Sequence, residues 1–385
     1  MNDILNKHIA IVGGGPGGLT LARLLQMNGA QVKVYERDAG RHVRVQGATL
    51  DLHHDSGLAA LRAAGLMDAF MTRYRPGADQ LCITDKDAQV LLHEWESGEQ
   101  GEEHFRPEID RGPLRDLLLD SLRPETVVWD SQLLALTELP NGRMQLSFKN
   151  GATATVDLVI AADGANSKLR PYITTTKPYF VGLTIIEGAV DHAADRVPEL
   201  YELMHGGKIF ALDDSRTLIV ASKGDGSMVF YCGFKSGENW LQDSRIDLDD
   251  IAHVIQWFDE EFAGWSELWK DLFKNANGRL IVRPQYCMPT DQPWQAKPNL
   301  TLLGDAAHLM PPYAGEGVNM AMQDALELSQ QLLDTDHADI SSAIAAYEEQ
   351  MRKRATEVAQ VTLAQTEVMH SPNGQQAMLT MFEQK

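Results

Sequence analysis

The stretch HIAIVGGGPGGLTLARLLQMNGAQVKVYER, residues 8–37, leaves this chain little freedom in how it begins. HIAIV is continuously apolar, as a strand covered on both faces must be. Gly13, Gly15 and Gly18 then complete a G-x-G-x-x-G spacing. The first glycine permits a tight turn, the second lets backbone approach a pyrophosphate, and the third lets helix pack close to strand. A helix over 17–28 comes next, its free N–H groups and dipole favouring an anion at its start. Gly29 ends it, VKVYE is the second strand, and Glu36 stands at that strand's tip. A glycine fingerprint alone is weak, but strand before, helix after and an acid about 20 residues on form its confirming context. Glu36 suits a ribose 2′-hydroxyl, so FAD or NAD fits this site and a 2′-phosphate does not.

Two later segments repeat the logic. VDLVIAADGANSKLR, 156–170, reads as a buried strand, VDLVIAA (156–162), ending in Asp163-Gly164, with Asn166 or Ser167 capping the next segment. NLTLLGDAAHLMPP, 299–312, is another buried strand with Asp305 at its carboxyl end. Ligands of open parallel sheets gather outside the carboxyl ends of strands. Three such ends carrying Glu36, Asp163 and Asp305 suit a long nucleotide with a ribose at one end and a polyol at the other, which selects FAD. In EIDRGPLRDLLLDSL, 108–122, Asp110 is placed as a helix cap and Arg111 sits in the first turn. An arginine there opposes the dipole, so Arg111 serves either an anionic ligand or an ion pair with Asp110 or Asp116. Arg41, in the basic loop RDAGRHVR, reads as a solvated loop residue.

Bulk properties exclude other classes. The chain has 385 residues and a net charge of −20, which argues against nucleic acid or an anionic membrane as partner. Cys82, Cys232 and Cys287 lie far apart and form no CxxC pair, so no disulfide framework or zinc site is expected. No window approaches 18 uncharged apolar residues and MNDILNK precedes the first strand directly, so a cytoplasmic, monomeric protein with no membrane span is expected.

Taken together, GGGPGGLTLARLL with Glu36-Arg37, DLVIAADGANSKLR and GDAAHLMPPYAGEGVNMAMQDA resemble the three FAD motifs of the aromatic-ring flavoprotein hydroxylases. YERDAGRHVRVQGATLDLH and PEIDRGPLR are most similar to the tetracycline-inactivating flavin monooxygenases, although this chain keeps an Asp163-Gly164 that those enzymes alter. The resemblance implies an α/β fold: a Rossmann-like FAD-binding domain (1–170 and 286–335), a second domain built on an antiparallel sheet (171–285, with 75–105 contributing), and a long C-terminal bridging helix (341–370). It implies that Gly13, Gly15 and Gly18 hold the pyrophosphate and Glu36 the adenosine ribose. Arg37, Asp51 and Arg111 would also contact FAD, Leu133 would offer backbone to the adenine, and Asp305 would bind the ribitol. Gly315, Gly317 and Val318 would lie against the isoalloxazine, Arg44 would recognise NADPH, and Asp163 would serve both nucleotides. The implied reaction uses NADPH or NADH and O₂ to hydroxylate a polycyclic aromatic or polyketide substrate, tetracycline among them, through a flavin C4a-hydroperoxide. The cofactor carries that chemistry, and no protein residue is assigned as catalytic.

Residues 171–290 break the α/β pattern. Runs such as FVGLTIIEGAVD, KIFALDD, TLIVASK and MVFYCGFK predict an antiparallel sheet beside the flavin, and IDLDDIAHVIQWFDEEFAGW an amphipathic helix. Glu187, Lys208 and Val229 stand where the tetracycline enzymes carry their substrate-gripping polar residues. Glu187, Lys208, Pro312, Tyr313, Gln365 and Met369 are therefore the predicted substrate neighbours. Phe210, Phe230, Tyr231, Met369 and His308, taken singly, also suit plain core or structural roles. The alternatives are a flavin halogenase or reductase, for which WQAKP (294–298) lacks the halogenase tryptophan motif, and a non-catalytic carrier, which would lose its flavin motifs. Relatives carry glutamine in place of Glu316; its carboxylate is expected to turn from the ring, towards solvent or a basic partner.

Overall fold

The computed structural model describes residues 4–43, 47, 49–94 and 105–383. Five parallel strands form the first sheet, in the order Leu300–Leu302, Leu158–Ala161, His8–Val12, Gln31–Tyr35, Val127–Val128. Its strands are apolar on both faces because both are covered, by helices and by the strands around Met144–Phe148, where Phe148 stacks on Tyr35 at 4.8 Å. Pro16–Met27 and Gly317–Leu333 pack against each other on this sheet, and Leu19, Leu21, Leu25, Met322 and Leu328 are buried between the layers. The strand predicted over 156–162 is interrupted one residue in, so that Val156 ends one strand and Leu158 begins another. Thr153–Val156 pairs antiparallel with Met144–Phe148 in a separate three-stranded sheet, and Leu158–Ala161 inserts between His8–Val12 and Leu300–Leu302. The break falls at Asp157, whose carboxylate accepts the His8 N–H at 2.8 Å while its own N–H donates to His8 O at 2.9 Å.

The second sheet has seven strands, in the order Ile281–Cys287, Tyr179–Val190, Met228–Lys235, Arg216–Ser222, Lys208–Asp213, Leu81–Thr84, Val90–Glu94. All neighbours are antiparallel except Lys208–Asp213 with Leu81–Thr84. Alternation along each strand divides its faces. Ile186, Phe230, Cys232, Val220 and Ile209 point to one side and are buried beneath the helices Pro198–Met204, Ile251–Glu261 and Glu267–Lys274. That side is an aromatic core: Phe258 and Phe262 stack at 4.8 Å, Phe230 meets Phe273 edge-on at 5.0 Å, and Trp269 is fully buried. The opposite side carries Glu187, Tyr231, Ile219 and Phe210 as direct cross-strand neighbours.

A 30-residue helix, Ile340–Met369, fastens the two sheets together. Its first turn carries a capping box between Asp339 and Ser342. Further along, Tyr347 donates to Leu302 O at 2.9 Å, and the buried Glu348 accepts from Thr301 Oγ1 and Trp294 Nε1, both at 2.8 Å. The helix Gly374–Glu383 then returns over the second sheet, burying Met378 beside Leu81, Ile83 and Leu212. Among the described residues no helix is long and apolar enough to cross a membrane.

Trp269 anchors the far side of the second sheet and donates Nε1–H to Lys86 O at 2.8 Å. Trp269→Ala should cost about 3–5 kcal/mol, read as a lowered denaturation midpoint in urea, because cavity and transfer losses add.

Candidate functional site

All five parallel strands end on one edge, and that edge gathers Gly13, Glu36, Asp163 and Asp305. Gly13 has φ +113°, and a Cβ there would lie 2.2 Å from Ala162 O; one at Gly18 would lie 2.2 Å from Gly13 O. The turn therefore closes only with glycine at both positions. Gly15 and Gly317 differ: a Cβ at either meets nothing within 4 Å. Each leaves bare backbone facing open space at the start of a helix, the first at Pro16–Met27 and the second at Gly317–Leu333. Such bare amides suit the pyrophosphate and ring of a dinucleotide.

Glu36 is buried, with Oε2 accepting from Gly14 N at 2.6 Å and Oε1 from Asp38 N at 3.0 Å. The carboxylate is thus oriented by backbone before any ribose arrives. Asp305 is exposed to water, yet desolvation still raises its carboxyl above the usual range, partly offset by His308, Arg111 and Arg170. Both properties belong to a side chain on the floor of a cleft. Arg111 is exposed and its charge acts on this acid, while its other candidate partners are engaged elsewhere. Asp110 makes no helix cap; it accepts from Gly224 N at 2.8 Å and pairs with Arg75 at 3.4 Å. Asp116 is held by Arg41 at 2.6 Å, so Arg41 fastens the helix Arg111–Asp120 rather than lying free in solvent. The Asp163 carboxylate accepts from Lys168 N at 2.7 Å and leaves Oδ1 buried without a hydrogen bond, while Ser167, as expected, caps the following turn. Arg37 is exposed, and Leu133 is buried at the start of the strand Leu133–Glu138. Arg44 lies outside the described residues.

The loop from Gly304 to Gly317 hangs from one buried carboxylate. Asp324 Oδ2 accepts from Gly304 N at 2.8 Å and contacts His308 Nε2 at 2.6 Å, while Oδ1 accepts from Arg354 at 2.6 Å. Gly304 has φ +60°, ψ −146°, a conformation open to glycine alone. Burial opposes ionisation of Asp324, but His308, Arg354 and the Gly304 N–H outweigh it and lower its carboxyl. His308 is buried, which disfavours its charge, yet Asp324 raises it above 6.5. Its role is structural, as the sequence suggested.

Beyond the loop, Asp51 and His53 come from the strand Thr49–Asp51 and the turn after it. Asn319 ties them to the start of Gly317–Leu333, donating to Asp51 O at 2.9 Å and accepting from His53 N at 2.9 Å. Asp51 lies 3.2 Å from where a Cβ on Gly315 would project. Val318 packs, partly buried, against the core of the parallel sheet. Neither His53 nor Asn319 stands out in the sequence; the run LDLHHD has no spacing that sets His53 apart.

Facing the loop is the open side of the second sheet. Tyr313 Oη and Thr217 Oγ1 each reach His370 Nε2 at 3.2 Å, and Nδ1 faces Thr366 O at 2.9 Å. Burial lowers His370 to about 4, so it is neutral, with its proton on Nδ1 and Nε2 accepting both hydroxyls. Met369 is buried in the same cluster as Phe210 and Ile219, while Gln365 holds a buried Oε1 with no hydrogen bond. Glu187 is paired with Arg283 and Lys208 with the buried Glu108, so neither expected substrate residue presents a lone charge. Val229 shares the Lys208 rung of this face through Ala221. Phe230 points the other way, into the core.

This cleft, floored by Asp305, edged by bare helix starts and roofed by a sheet, defines a flavin-dependent oxidoreductase of two-sheet design. The chain belongs to the family described as FAD binding domain, whose model matches residues 6–362, and it is an FAD-dependent monooxygenase. It is 30% identical over 384 residues to a 3-amino-4-hydroxybenzoate 2-monooxygenase of Streptomyces platensis, covering 95% of this chain and 89% of that one. Among solved structures its fold resembles that of HpxO of Klebsiella pneumoniae complexed with FAD and uric acid, with TM-score 0.76, 21% identity, and coverage of 98% of this chain and 92% of that one. Its fold is also like that of the tetracycline destructase Tet(55), with TM-score 0.74, 20% identity, and coverage of 96% and 90%.

Gly15 has φ −81° and open space above it, so Gly15→Val should fold with little change in thermal midpoint yet lose FAD, measured by recovery of free-flavin fluorescence. Asp324→Asn should cost about 3–5 kcal/mol by stranding buried cations. The wild-type contribution of Asp324 is present above its ordinary 3.8 and lost as pH falls through its lowered value. That of His308 is complete below 6.5 and lost as pH rises through its raised value. Urea midpoints against pH should therefore fall on both sides in the wild type and flatten in the variant.

Proposed function

We propose that this monooxygenase uses NADPH or NADH and O₂ to hydroxylate a polycyclic aromatic or polyketide small molecule, with tetracyclines within its range. The observation that supports this most is the second sheet's open face, where Phe210, Ile219 and Tyr231 form a partly buried apolar rung opposite Tyr313 and the cleft. A flat ring system stacks on such a wall without needing directional partners. The polar groups at its margin are pre-paired, Lys208 with Glu108 and Glu187 with Arg283. Paired charges suit hydrogen bonds to keto and enol oxygens better than capture of a free carboxylate.

In this reading Gly13, Gly15 and Gly18 take the pyrophosphate, Glu36 and Arg37 the adenosine end, and Leu133 the adenine. Asp51, Arg111 and Asp305 line the path to the ring, which Gly315, Gly317 and Val318 bed; Asp163 and Arg44 meet NADPH. Bound FAD would supply the redox chemistry: two electrons from the reduced nicotinamide would activate O₂, one oxygen atom entering the substrate and the other leaving as water. The protein's part is to orient and to exclude water. Pro312 and Tyr313 form the rim nearest the ring, with Tyr313 fixed by neutral His370. Gln365, with its unsatisfied Oε1, and Met369 close the side formed by the long helix.

NADPH consumption by the purified yellow protein should rise several-fold with a tetracycline or a polycyclic phenol, and mass spectrometry should find a product heavier by one oxygen atom. No stimulation and no oxygenated product across a panel of both classes, with NADPH and with NADH, would overturn the reading.

A further inference from the structure

The edge of the flavin cleft carries more acid than an anionic cofactor should tolerate. Asp51 and Glu316 both stand at the start of Gly317–Leu333, where the ring is to lie, and the cofactor itself brings two phosphate charges. Between the acids lies His53, with Nε2 2.9 Å from Asp51 Oδ2 and Nδ1 3.4 Å from Glu316 Oε1. Its side chain is 12% exposed, against 26% for Asp51 and 28% for Glu316. One ring thus bridges two carboxylates with both of its nitrogens, and a neutral imidazole has only one proton to give.

We propose that His53 is the charge-compensating positioning residue of the flavin cleft: it joins the strand Thr49–Asp51 to the flavin helix through Glu316 and cancels one of two acids that would otherwise repel FAD. Asp51 belongs to the strand's own end, Glu316 to the facing helix, and Lys208 of the second sheet acts on Asp51, helping to lower its carboxyl. Burial works against a charge on the ring, but the hydrogen bonds and charges of Asp51 and Glu316 outweigh it and push His53 up to about 9. The cation is therefore present at neutral pH and lost as pH rises through 9, leaving two acids facing the cofactor. The arrangement also gives Glu316 a role: its carboxylate has the basic partner anticipated for it, where a glutamine would leave His53 with one acid.

The test is FAD binding by the apoprotein, followed through quenching of flavin fluorescence between pH 7 and pH 10, with no turnover involved. Wild type should bind with steady affinity to about pH 8 and weaken as His53 loses its proton. His53→Gln should weaken FAD by about 10-fold at pH 7.5, the scale of one lost partly buried charge contact, and flatten the alkaline fall. His53→Lys should keep the neutral-pH affinity and move the fall to higher pH, since an ordinary lysine titrates near ~10.4. His53→Gln with Glu316→Gln should recover most of the lost affinity, a rescue that mere loss of packing does not give. The proposal is overturned if wild-type affinity is flat through pH 9, or if the double variant binds as weakly as His53→Gln. If His53→Gln does not fold, the wild-type profile and His53→Lys decide in the same way.

Discussion

One carboxylate with no contact with solvent governs the geometry of this enzyme. Asp324 stands on the flavin helix, yet it ends the strand Leu300–Leu302 through the Gly304 N–H, orders the loop through His308, and binds the bridging helix through Arg354. Three separate pieces of chain, the turn Gly304 to His308, the flavin helix and the bridging helix, meet at one side chain. Its neighbour Glu327 accepts from the same arginine at 2.5 Å, so Arg354 is forked between two turns of one helix. A buried charge cluster of this kind is poor evidence for net stability, because desolvation offsets much of the attraction. What it supplies is position: the Asp305 backbone cannot shift without uncoupling a glycine turn that has no alternative conformation.

The second sheet shows how one strand pattern serves two tasks. Period-two alternation sends Phe230, Cys232 and Phe234 into an aromatic core and Tyr231 and Gly233 towards the cofactor side. Gly233 matters there because Thr217, Tyr313 and His370 converge above it, each within 3 Å of where a Cβ would stand. The sheet is thus rigid from behind, and its exposed face is tuned by a few polar groups that already satisfy one another.

How far the sequence disclosed this depends on the reach of each interaction. The glycine turn, Glu36 and the strand ends bearing Asp163 and Asp305 are local patterns, readable because strand, turn and helix are contiguous. The strands 179–190, 208–213, 216–222 and 228–235 were legible for the same reason, as was the long helix. The break at Asp157 was not, since its cause is a partner 149 residues away. Asp110 read as a helix cap because capping is a local rule; the structure gives it to Arg75 and Gly224, which no spacing announces. Arg41 read as a loop cation until Asp116 and Asp120 came round beside it. His53 escaped notice because its second acid, Glu316, comes from a distant segment, and His370 because its hydroxyls come from Thr217 and Tyr313.

The bridging helix has a consequence for how the protein is made. The glycine turn leaves the ribosome first, but the cleft it opens onto has no fixed floor until Gly304, Asp324 and Arg354 have emerged, some 290 to 340 residues later. Contacts this distant in sequence form late and slowly. The nascent chain therefore carries a recognisable nucleotide fingerprint long before it can retain a nucleotide, and flavin capture becomes the closing event of folding rather than its seed.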